Sequence, residues 1–203
     1  MLLLLLRNDE RCAIMAKQFP KLEPAHRDFI VRQKIFFTAT AAATGRVNVS
    51  PRSTNELRIL HDNAVVYLDR TGSGNETAAH LRANGRMTIM LCAVEGPPKI
   101  MRLYGQGKII RRNSHEYVDL LASKYDGTEP LGARQMVRLE FDLVQTSCGY
   151  GVPLYDYKEE RDSLDRWAQS KGQDGIAAYW RDKNVRSIDG FPTGILDDNN
   201  QID

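Results

Sequence analysis

Hydrophobic and polar positions change their period several times along the chain, and each change marks an element. In EPAHRDFIVRQ (23–33), Phe29 and Ile30 form a narrow apolar face behind Pro24, a residue suited to a first helical turn, so a short helix is expected. KIFFTATAAA (34–43) is β-branched and aromatic, TGR (44–46) is a turn signal, and VNVSPRS (47–53) alternates at period two. Together these three predict a hairpin. LRIL (57–60) runs into a turn at Asp62 and Asn63, AVVYLDRT (64–71) reads as a strong strand, and NETAAHLRANG (75–85) as a helix stopped by Gly85. RMTIMLCAVEG (86–96) is apolar almost throughout, which predicts a strand buried on both faces.

A proline break then opens PPKIMRLYGQGKIIRR (97–112), a long strand with a bend or bulge at Gly105 and Gly107. SHEYVDLLASKY (114–125) reads as a helix capped by Ser114, with Tyr117 where a full capping box would place Glu. Residues 132–151 open with apolar Met136, Leu139, Phe141 and Val144, as one strand or two. YKEERDSLDRWAQSKG and GIAAYWRDKN read as helices split at Gly172, and the tail DDNNQID is polar and expected to be mobile. The pattern yields about six strands and four helices, with hairpin-like rather than βαβ connections. That predicts a mainly β fold, an antiparallel sheet closing into a small barrel with helices outside.

Composition narrows this little. With 203 residues the chain suffices for one domain or two small ones, and 42% hydrophobic with 27% charged residues is a soluble globular balance. A net charge of +2 offers no electrostatic case for nucleic acid. Cys12, Cys92 and Cys148 lie far apart and match neither a metal site nor a disulfide framework, so reduced structural cysteines in an intracellular compartment are expected. MLLLLL is followed at once by charge, too short for a membrane span and without the basic lead of a signal peptide. Residues 1–14 are therefore read as a disordered appendage, and no membrane partner is expected.

The candidate chemistry centres on TGSGNET (71–77). Gly72 and Gly74 free the backbone to point successive N–H groups at one spot, and the following helix adds its positive end, a combination suited to phosphate. Thr71, Ser73, Asn75 and Thr77 could add donors. The plainer alternative is that Ser73 or Asn75 caps the helix and the glycines make the turn. The string matches neither the Walker nor the GxGxxG pattern. In NVSPRS, an extended strand puts Asn48, Ser50 and Arg52 on one face, and Arg52 could supply the charge the turn lacks, or simply end a solvated strand face. Arg102, between Met101 and Leu103, lies either on the wet face or against an anion. His26, His61, His80 and His115 are isolated and expected at the surface; no nucleophile motif and no metal spacing appear. CGYGVP (148–153) is either a loop closing the last strand or a backbone approach to a planar ligand.

The runs IFFTATAAATGRVNVSP, VVYLDRTGSGNETAAHLRANGRMTIML and IMRLYGQGKII, in that order, resemble the pyridoxamine 5'-phosphate oxidase-like flavoproteins. The likeness covers roughly residues 20 to 150, with an extension containing CGYGVPLYDYKEERDSLDRWA and KNVRSIDG beyond it. It implies a six-stranded antiparallel split β-barrel of the FMN-binding type over residues 15–150, with a C-terminal helical extension and tail over 151–203. It also implies a cytoplasmic homodimer with FMN at the subunit interface. The phosphate would be held by Ser50, Arg52, Thr71, Gly72, Ser73, Gly74, Asn75 and Thr77, with Arg102 as a further cation. Where the oxidases carry a Ser-Arg-Lys triplet, this chain offers SGN (73–75) or NET (75–77), and the oxidases' C-terminal substrate signature is missing. The expectation is therefore an FMN-binding oxidoreductase acting on an unidentified small molecule (a vitamin B6 phosphate, a quinone-like or conjugated compound, or a pathway metabolite), without turnover of pyridoxamine phosphate itself. No catalytic residue is assigned, because the flavin itself takes up the electrons. The alternatives are a non-catalytic flavin-binding protein and a flavin-free split-barrel interaction module.

Overall fold

The computed structural model describes residues 16–197. The expectations for residues 1–14 and for the polar tail beyond 197 lie outside the described residues. Eight strands are present among the described residues: β1 Lys17–Phe19, β2 Ile35–Thr40, β3 Asn48–Ser53, β4 Leu57–His61, β5 Ala64–Arg70, β6 Arg86–Cys92, β7 Ile100–Arg111 and β8 Ala133–Ser147. The helices are α1 Pro24–Arg32, α2 Glu76–Asn84, α3 His115–Lys124 and α4 Ser163–Tyr179, the last running into a π-helical turn at Trp180–Asn184. No helix among the described residues is long and apolar enough to cross a membrane.

All pairings are antiparallel, in the order β3-β2-β6-β7-β8-β5-β4, with β1 added to β8. The two long strands let the sheet curl into a half-barrel. β8 is paired along one side with β7 over nearly its whole length, and on its other side with β5 in its first half and β1 in its second. The ladder between β7 and β8 is interrupted between Tyr104 and Gly105. A Cβ at Gly105 would lie 1.9 Å from the Glu140 carbonyl oxygen, so the strands approach there as only glycine permits. The enclosed core includes Phe36, Tyr67, Ile89, Leu91, Met101, Leu103, Leu139 and Val144.

Two expectations need correction. The sheet has eight strands among the described residues rather than about six: β1 is only three residues long, too short to show a period, and LRIL, which does run into the turn at Asp62 and Asn63, is itself a strand, β4. The doubly buried strand is β5, not β6. Val65 and Tyr67 of β5 face the main core, while Val66 and Leu68 face a second cluster with Tyr117, Tyr125 and Met136 beneath α3. β6 alternates between buried and half-covered positions, with Met87, Ile89 and Leu91 in the main core.

Helix ends follow the local chemistry. Gly85 closes α2 in the left-handed conformation with φ 71°, and the Ser114 side chain accepts the Tyr117 N–H at the start of α3. Gly172, with φ 61°, kinks α4. The histidine expectation fails for two of four. His26 and His80 are 4% and 1% exposed, because each sits on the inner face of a helix packed against the sheet. CGYGVP forms a loop in which Gly149 approaches the Lys99 backbone, so the close contact is with the protein's own chain.

Candidate functional site

β5 ends at Arg70, and the chain turns through residues 71–75 into α2. This turn, the face of β3 and the start of β8 surround a cavity of about 720 Å³. Ser50, Arg52, Gly72, Ser73, Gly74 and Thr77 line it together. Thr71 and Asn75 are buried behind the turn rather than in the cavity wall. Arg102 is elsewhere on the sheet, where its Nη1 donates to Ser147 Oγ at 3.3 Å, and it does not line the cavity.

The turn is held from behind. Thr71 Oγ1 donates to the Gly132 carbonyl at 2.7 Å and accepts from Trp180 Nε1 at 2.8 Å. The Gly72 carbonyl accepts from Asn184 Nδ2 at 3.2 Å, and the Gly74 carbonyl from Arg134 Nη1 at 2.8 Å. Asn75 stands at the N-cap of α2, but its side chain does not cap the helix; its Oδ1 accepts from Gln135 Nε2 at 2.9 Å instead. The capping alternative therefore does not describe this turn, and among the described residues no side chain caps the N–H groups at the start of α2. Asn48 Nδ2 donates to Thr77 Oγ1 at 3.3 Å, and Ser50 Oγ donates to Asn48 Oδ1 at 3.2 Å, which ties β3 to the first turn of α2.

The electrostatic centre is Asp69, fully buried at the end of β5. Its Oδ1 accepts from Arg52 Nη1 at 2.6 Å, and its Oδ2 accepts from Arg134 Nε at 2.8 Å and Gln135 Nε2 at 2.7 Å. Burial alone would raise the Asp69 pKa, but Arg134 and Arg52 outweigh it and hold the carboxyl at about 2. The Arg52 guanidinium also lies 4.6 Å from the centre of the Tyr67 ring, and burial pushes the Tyr67 phenol up to about 12. One carboxylate thus orients two guanidiniums at the cavity and leaves one positive charge unbalanced. Arg70 also lines the cavity but is paired with Asp165 of α4. His80 is 1% exposed and borders the cavity; its Nδ1 meets Thr40 Oγ1 at 3.0 Å and its Nε2 has no partner among the described residues. Such a wall of donors and cations can accept an anion.

A family described as pyridoxamine 5'-phosphate oxidase matches residues 22–148. A pyridoxamine 5'-phosphate oxidase family protein from Aspergillus flavus, ustO, is 38% identical over 185 residues, covering 82% of this chain and 73% of its own. The chain belongs to the pyridoxamine 5'-phosphate oxidase family. Among solved structures, a pyridoxamine 5'-phosphate oxidase-related, FMN binding protein from Nostoc punctiforme aligns at TM-score 0.46 with 13% identity, covering 62% of this chain and 84% of its own. HutZ, the heme storage protein from Vibrio cholerae, aligns at TM-score 0.47 with 21% identity, covering 64% and 98%.

For this member of the pyridoxamine 5'-phosphate oxidase family, the local pattern gives no site role to Asp69 or Arg134 and places His80 at the surface. Asp69 did carry a signal. It is a charge inside an otherwise apolar strand, the same feature that drew attention to Arg102. His80 lies in the helix after the turn, where the spacing gives no hint of burial. Arg134 gave none; only the pairing of β5 with β8 brings it to Asp69.

Proposed function

We propose that the cavity binds FMN through its phosphate and that the protein uses the flavin for redox chemistry on a small molecule. The observation that carries this reading is the meeting, on one cavity, of the 72–74 turn, the uncapped start of α2, and the Arg52 and Arg134 guanidiniums around Asp69. The volume lies within the range of about 300–1,000 Å³ usual for ligand sites. The unpartnered Nε2 of buried His80 on the wall supports a polar occupant. A bound flavin supplies reversible uptake of electrons or hydride. The chain's own residues orient and hold it: Arg52, fixed by Asp69 and Tyr67, meets the phosphate charge, and Ser50 and Thr77 offer hydroxyls beside the turn.

A homodimer would complete the site. β3 is an edge strand, and Val47 and Val49 beside the cavity are 70% and 59% exposed, a surface that a second copy would cover. The unpaired Cys92 and Cys148 suit a reducing, cytoplasmic compartment. The test is the visible spectrum of the purified protein. Flavin absorbance, with FMN released on denaturation, is expected. A colourless protein whose melting temperature does not rise with added FMN would refute the proposal.

A further inference from the structure

The turn over residues 71–77 contains no basic side chain. Two further cations of the cavity arrive from the far end of the chain, where the segment after α4 lines it with Lys183, Arg186 and Ile188. This segment is fastened to the site at several separate points. Trp180 bonds to Thr71, and Asn184, fully buried, bonds to both Gly72 and Arg134. The Ile188 N–H donates to both oxygens of Glu76, at 3.0 and 3.1 Å. Asp189 accepts the Arg46 N–H at 2.7 Å and pairs with its guanidinium.

Glu76 is the puzzling residue in this set. It puts a carboxylate on the wall of a cavity otherwise built for an anion. Its bonds to Ile188 give it a different task, that of holding the segment in place. The cations so held are weakly committed. Among the described residues Lys183 pairs only with its exposed neighbour Asp182, at 3.1 Å, a kind of contact worth little in solvent. Arg186 donates to the Gly190 carbonyl at 2.9 Å and meets no carboxylate among the described residues.

We infer that residues 180–190 form a strap, latched by Glu76, whose Lys183 and Arg186 supply the phosphate charge that the turn lacks and so select phosphorylated over unphosphorylated ligand. The inference rests on the flavin reading of the cavity. Phosphate recognition is then divided between the barrel, which presents backbone N–H groups and Arg52, and the C-terminal segment, which adds the positive charge of Lys183 and Arg186 once latched.

The test is titration of the full-length protein, freed of bound flavin, with FMN and with riboflavin, following quenching of flavin fluorescence. The double variant Lys183→Gln, Arg186→Gln should bind FMN at least tenfold more weakly and riboflavin within twofold of wild type. FMN affinity within twofold of wild type would overturn the inference. Glu76→Ala gives an independent arm, because it removes both the charge and the acceptor of the Ile188 N–H. Removing a negative charge beside a phosphate should tighten FMN if charge alone matters, whereas loss of the latch should weaken it. Tighter FMN binding would overturn the latch. Should wild type itself fail to distinguish FMN from riboflavin, the phosphate reading of the cavity fails, a result distinct from failure of the strap alone.

Discussion

Replacing Asp69 with Asn removes the one carboxylate shared by Arg52 and Arg134 while keeping its shape. The side chain of Asp69 is fully buried and that of Arg134 is 4% exposed, so the charges left behind have little access to water. Breaking a buried pair on one side costs about 3–5 kcal/mol. The titration of the native carboxyl gives an independent lower figure. Held at about 2 against an ordinary 3.8, it contributes about 2 kcal/mol at neutral pH. Because the folded-state pKa is the lower of the two, this stabilisation is fully present above the ordinary value of 3.8 and is lost as pH falls through about 2. Asp69→Asn should therefore lose about 3–5 kcal/mol in urea unfolding at pH 7, or roughly 6–20 °C in melting temperature for a chain of this length. The gap between variant and wild type should narrow in acid below pH 4. A loss under about 1 kcal/mol at pH 7, or a gap indifferent to acid, would refute the buried network around Asp69 as the organiser of the cavity.

Other consequences can be checked separately. Gly105→Ala should cost several kcal/mol or abolish folding, since its Cβ would sit 1.9 Å from the Glu140 oxygen; a variant melting within a few degrees of wild type would contradict the close strand approach. Arg52→Ala should weaken FMN roughly 10- to 100-fold, the range of a charge-assisted hydrogen bond, as read by equilibrium titration. Unchanged affinity would discard Arg52 as a phosphate ligand. Val49→Asp, on the exposed edge of β3, should convert a dimer to a monomer in light scattering; a wild type that is already monomeric would remove the dimer proposal.

Elements with a visible cap or break were readable from the chain alone. Gly85 and Ser114 announce the end of α2 and the start of α3, and both helices fall within a residue of the expected range. What escaped is set by tertiary pairing. The double burial of β5 depends on α3 lying over its outer face, a contact no local period contains. At the site, the glycines and hydroxyls of residues 71–77 advertise a special turn, but the groups that brace it, Arg134 and Asn184, come from β8 and from the segment after α4. Arg102 and Asp69 carry the same outward signal, a charge in an apolar strand, and lead to opposite placements: one bonds to Ser147 away from the cavity, the other sits at its centre. Register decides between them, and register is a property of the folded sheet.

The central claim is that the cavity recognises a flavin by its phosphate, and the ratio of riboflavin to FMN dissociation constants for the wild-type protein tests it most directly. The account predicts FMN binding at least about tenfold tighter than riboflavin, because charge-assisted bonds to the phosphate contribute about 1.5–3 kcal/mol each. Equal affinity for the two, or no binding of either, would contradict it.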